Sequence, residues 1–220
     1  RVARLREDPR SARAGGLGMT PSDPADLDLG ELPVGALGSE SLLWWGISGL
    51  IVVETIVFGT FLSSGFYLRV LQSGWPPPDV APPGLSWASA ITVLLAASVV
   101  TIRRATRIAL QERRKPIAML LTSVALATVC GLLRLLELDA LPFSWKTHAF
   151  GSVFWTLNGL HMAHVSAAVL GTGAVAALVW RRPLGPKVVL ATQVDGLYWQ
   201  FMVIIWLPLY GVLYLVPRLS

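Results

Sequence analysis

Five long, almost charge-free stretches limit what this chain can become. They run approximately over residues 41–71, 86–110, 116–138, 148–180 and 188–216. A hydrocarbon core about 30 Å thick is crossed by roughly 20 helical residues, and each stretch reaches that length. Several exceed it, which implies tilt or extension into the headgroups. Composition agrees: 54% of the 220 residues are hydrophobic and 14% are charged, against about 25% charged in a soluble domain. The expected fold class is all-α, a polytopic transmembrane bundle of about five helices. Residues 1–38 are expected to form a flexible extramembrane tail and residues 39–220 the transmembrane domain. The run Trp75-Pro76-Pro77-Pro78, with Pro82 and Pro83, ends the first helix, because proline lacks an amide donor and clashes with the preceding turn.

The net charge of +5 reflects loop chemistry, and no nucleic-acid partner is needed to explain it. Arg103, Arg104, Arg107, Arg113, Arg114 and Lys115 gather between the second and third stretches, and Arg181, Arg182 and Lys187 between the fourth and fifth. Arg1, Arg4, Arg6, Arg10 and Arg13 lie in the tail. The alternate connections are poor in bases: Ser73 to Leu85 has none, and the next has only Lys146. Short basic loops stay cytoplasmic, so the N-terminus is expected in the cytoplasm and the C-terminus outside. That result needs an odd number of crossings, as the hydropathy gives independently. Residues 1–28 lack the apolar core of a cleavable signal. The single cysteine, Cys130, excludes an intrachain disulfide and a cysteine-rich metal site.

Ionisable side chains at bilayer depth cost about 2.5–3.5 kcal/mol each, so each asks for a partner or a purpose. Glu54 stands in the middle of the first stretch with no base within two turns. It reads as an interhelical hydrogen-bonding group or as a site of proton or lipid handling. Arg134 and Glu137, three apart, share a helix face and are expected to pair. Asn158, His161 and His164 recur at intervals of three as a polar stripe on the fourth helix, open to structural hydrogen bonding or to a lone heme ligand. Ala163, Ala167 and Gly171, spaced by four, are expected on a helix-packing face. The last helix combines Tyr198, Trp199, Gln200, Trp206, Pro208 and Tyr210, read as interfacial aromatics with a kinking proline. No HExxH pattern, nucleophile with a base or phosphate loop is present, so no catalytic residue and no metal ligand is assigned.

Taken in order, these residues resemble subunit III of the heme-copper oxidases. Glu54 stands at that family's intramembrane glutamate, and Gly74-Trp75-Pro76-Pro77 is similar to its Trp-Pro-Pro segment. Glu137 with Pro142-Phe143 and Gly151-Ser152-Val153-Phe154 resembles its acidic residue, loop and helix start. Gly159-Leu160-His161-Met162-Ala163-His164-Val165 is similar to its Gly-x-His-x-x-His-Val, and Tyr198-Trp199-Gln200-Phe201 through Trp206-Leu207 to its last helix. The chain departs from the family at Gln200 (usually histidine), Val203 (aspartate) and Gln193 (glutamate), and Arg103 and Arg104 occupy the neighbourhood of a histidine pair.

The resemblance implies the five-helix bacterial form, in a plasma membrane, as a non-catalytic subunit of an oxygen reductase in aerobic respiration. It implies no cofactor in this chain, with heme and copper in the catalytic partners. Subunit I is the implied direct neighbour, with subunit II and phospholipids also in contact. Glu54, Arg134, Glu137, His161 and His164 are then lipid-contacting or structural polar positions. An accessory subunit of a nitric oxide reductase and a small heme-binding membrane anchor using His161 or His164 are the alternatives.

Overall fold

A computed structural model describes residues 41–219, and the expected tail lies outside them. The described chain is helical, with no strand among the described residues. Its helices are α1 (Leu42–Val70), α2 (Leu85–Arg107), α3 (Ile117–Asp139), α4 (Ala149–Arg181) and α5 (Pro186–Tyr210). A π-helical turn extends α2 through Ile108–Glu112, and another extends α5 through Gly211–Leu215. By length and composition all five are able to cross a membrane. With the π-helical turns counted, their bounds fall within two residues of those read from hydropathy, because the same proline and charge clusters that interrupt the apolar runs also end the helices.

Helices α2, α3, α4 and α5 form a closed ring: each packs on the next, and α5 returns to α2. Short connections make successive neighbours antiparallel. Helix α1 lies outside this ring against α4 and α5, and only Phe58 and Gly65 along it are buried. Ile51, Leu62 and Leu68 pack partly buried against the core, while Val52, Val53 and Ile56 face outward, as suits a helix whose solvent is lipid.

The α2–α5 seam is a ladder of polar contacts. Trp199 Nε1 donates to Ser98 Oγ at 2.9 Å, and that hydroxyl donates to the Leu95 carbonyl at 2.7 Å. Trp206 Nε1 donates to Thr92 Oγ1 at 2.8 Å, which donates to the Ala88 carbonyl at 2.8 Å. Ser89 and Tyr210 meet at 3.1 Å further along. Trp199 and Trp206 are therefore fully buried, not interfacial as expected. An indole carries one N–H that needs an acceptor when buried, and the hydroxyls of α2 supply it inside the bundle.

One further expectation is corrected. Ala163, Ala167 and Gly171 are exposed in this chain, while α4 packs through Leu157, His161, Val165, Ala168, Thr172, Ala176 and Val179. The larger side chains hold the inner face, leaving the small-residue face open on the outside. Pro208 is accommodated within α5. It withholds a donor from the preceding turn, and the π-helical stretch that follows brings both Leu213 and Tyr214 inward.

The start of α4 is fixed by its own sequence. His148 Nδ1 accepts from the Gly151 amide at 2.8 Å, so histidine serves as the helix cap. Trp75, from the Trp-Pro-Pro segment, closes that end by an edge-on contact with Phe150 at 5.3 Å. Gly151 has no room for a side chain: a Cβ there would stand 2.6 Å from the Ser144 carbonyl oxygen. Gly159 on the same helix faces open space. Gly151→Ala is expected to destabilise the protein by about 1–3 kcal/mol through overpacking. Gly159→Ala should leave thermal unfolding in detergent unchanged or slightly raised. Equal midpoints for the two variants would contradict the close approach.

Candidate functional site

The polar stripe expected on α4 divides between two neighbourhoods. Three residues advance a helix by about 300°, so positions three apart slew by about 60° per step. Asn158 and His161 are buried in the ring, while His164 reaches α1. The five positions singled out in the sequence therefore form one pair and one cluster.

The pair joins α1 to α4. His164 Nε2 lies 2.8 Å from Glu54 Oε2, and His164 Nδ1 lies 2.7 Å from the Leu160 carbonyl. A carbonyl only accepts, so Nδ1 carries a hydrogen. The 2.8 Å contact then requires one proton between Nε2 and the carboxyl group, since two facing lone pairs do not approach that closely. The pair is either imidazolium with carboxylate or imidazole with carboxylic acid, and its net charge is zero in both. Side-chain exposures of 11% and 23% leave its edge partly open, and Phe58 packs on the imidazole at 5.1 Å.

The cluster lies within the ring. Arg134 Nη1 donates to Glu137 Oε2 and to Tyr214 Oη, and Tyr214 Oη donates to Glu137 Oε1 at 2.8 Å. The ion pair closes on α3 as its spacing implies, and protein shields it: Arg134 is 3% and Glu137 2% exposed. The guanidinium also lies over the Trp206 ring, 4.5 Å from its centroid, so a π face covers a charge that would otherwise be poorly solvated. His161 Nε2 donates to the Met202 carbonyl at 3.2 Å, and its ring packs on Trp206 at 5.1 Å. Both histidines are committed to links between helices, and His161 is 3% exposed. Among the described residues, no three His, Cys, Asp or Glu side chains gather as a metal site.

Tyr214 and Asp195 are polar residues of these contacts that the sequence reading does not single out. Asp195 of α5 accepts from Thr172 Oγ1 of α4 at 2.9 Å. The signal was present, since a carboxylate in the middle of an apolar run asks for a partner just as Glu54 does.

The cluster behaves as a unit. Tyr214→Phe removes one donor and one acceptor and is expected to cost about 1–3 kcal/mol. Arg134→Met alone strands a buried carboxylate and should cost about 3–5 kcal/mol. Arg134→Met with Glu137→Leu should cost clearly less than the sum of the two single changes in unfolding titrations; strict additivity would show that the two groups do not interact.

The model of the family described as cytochrome c oxidase subunit III matches residues 39–217, a span that takes in all five helices. Cytochrome c oxidase subunit 3 of Papio hamadryas is 28% identical over 182 residues, covering 78% of this chain and 69% of that protein. The protein of the same name from Thermostichus vulcanus is 22% identical over 177 residues, 79% of this chain and 87% of its own. Cytochrome bo(3) ubiquinol oxidase subunit 3 of Pseudomonas aeruginosa is 37% identical over 83 residues, 38% of this chain and 40% of that one. The match extends across the helices that carry both the Glu54–His164 pair and the Arg134 cluster, and the chain belongs to the cytochrome c oxidase subunit III family.

Proposed function

We propose that this chain is a non-catalytic accessory subunit of a heme-copper terminal oxidase in a bacterial plasma membrane. The observation that carries the reading is the family match across all five helices. The site geometry supports it, because Glu54, Arg134, Glu137, His161 and His164 each bond to a residue of another helical element. In this reading the chain packs directly on the catalytic subunit I, with subunit II nearby, and stabilises the complex during turnover. Heme and copper reside in those partners. The exposed small-residue face of α4 suits the close approach of another transmembrane helix. The partly open Glu54–His164 edge suits contact with phospholipid near a route for oxygen or protons. The named relatives include both cytochrome c and ubiquinol oxidase subunits, so the electron donor follows from the catalytic partner.

Orientation follows from the basic end of the bundle. The α2–α3 and α4–α5 connections lie together, with Lys115 Nζ donating to the Trp180 carbonyl at 3.0 Å, and we place this end in the cytoplasm. The only native thiol, Cys130, is buried. Ser73→Cys should therefore react with a membrane-impermeant maleimide in intact cells, whereas Arg114→Cys should react only after permeabilisation; the reverse pattern would invert the topology.

Purification in mild detergent should bring down a heme- and copper-containing catalytic chain, and its identity separates an oxygen reductase from a nitric oxide reductase. The isolated subunit should show no Soret band, and a stoichiometric one would refute the accessory reading. In the assembled complex, Glu54→Gln should keep the initial oxygen-reduction rate within about twofold. Near-total loss in a correctly assembled complex would contradict a supporting role.

A further inference from the structure

At the basic end of the bundle, α1, α2 and α5 border an open groove of about 460 Å³ that the roles above do not use. Its walls include Trp44, Arg103, Arg107, Gln111, Gln193 and Gln200. Arg103 and Arg107 stand one turn apart on the same face of α2. Both are exposed, and among the described residues no carboxylate lies within 4.0 Å of either guanidinium. Two positive charges thus share a groove without an anionic partner.

Arg103 is positioned by neighbouring amides. Gln200 Nε2 donates to the Gly196 carbonyl at 3.0 Å, which fixes the amide so that Oε1 accepts from Arg103 Nε at 2.8 Å. With Nε engaged, the terminal amino groups of the planar fork are left as donors, a geometry that matches phosphate oxygens. Trp44 supplies the amphipathic ring favoured at headgroup depth.

We propose that this groove seats the phosphodiester headgroup of an anionic phospholipid, with Arg103 and Arg107 taking the phosphate. Bases beside an anionic membrane surface attract such lipids, and the tethered Arg103 turns diffuse attraction into a defined seat. The inference rests on the bilayer as solvent and does not depend on the oxidase reading. It also concerns a different face from the Glu54–His164 edge.

The test uses the full chain, delipidated in detergent, with bound lipid counted by native mass spectrometry during titration with phosphatidylglycerol or phosphatidylcholine. Wild type should bind phosphatidylglycerol about tenfold or more tightly than phosphatidylcholine. Arg103→Gln with Arg107→Gln should abolish that preference. Arg113→Gln with Arg114→Gln, which removes the same charge from exposed residues outside the groove, should keep it within about twofold. Arg107 makes no hydrogen bond or ion pair among the described residues, so Arg107→Gln alone should lower the preference several-fold while the thermal unfolding midpoint holds. Three outcomes would overturn the proposal: no headgroup preference in wild type, equal loss in both double variants, or displacement of the lipid by equimolar inorganic phosphate.

Discussion

Hydrocarbon supplies no hydrogen-bond partner, so a polar side chain inside the bilayer must find one on another helix or on its own backbone. Much of this molecule follows from that constraint. The hydroxyls of α2 accept the indoles of α5 and pass the bond on to carbonyls of their own helix. Thr101 and Ser123 join α2 to α3 at 2.6 Å, Thr172 and Asp195 join α4 to α5, and Glu54 and His164 join α1 to α4. Each link fixes the register of two helices whose apolar surfaces alone would slide past each other with little preference.

The links are unequal. Within the ring, Arg134, Glu137, Tyr214, Trp206 and His161 share partners, so removing one group leaves others unsatisfied in a region of low dielectric. Around the ring, contacts are pairwise and their loss stays local. The departures at Gln193 and Gln200 line the open groove at the basic end.

Much of this was legible in the sequence. Five helices follow from five apolar runs, and the Arg134–Glu137 pair follows from a spacing of three. A partner for Glu54 was required by the cost of an unpaired carboxyl, although nothing in the spacing identified His164. What sequence could not supply was direction around each helix. Trp199 and Trp206 resemble interfacial aromatics in one dimension, and only the register of α2 against α5 turns them inward. Ala163, Ala167 and Gly171 share a face, but periodicity does not say which neighbour that face meets. Asp195 required no more than the rule applied to Glu54.

The pairing of Glu54 with His164 bears on how the peripheral helix responds to an energised membrane. A transmembrane voltage does work on net charge, about 2.3 kcal/mol for each elementary charge carried across 100 mV. Because this pair shares one proton and sums to zero in either form, the field exerts almost no net force on the contact between α1 and α4. Moving the proton from one partner to the other changes only a small local dipole. The mooring of α1, with one shared proton, thus places no net gating charge between α1 and α4.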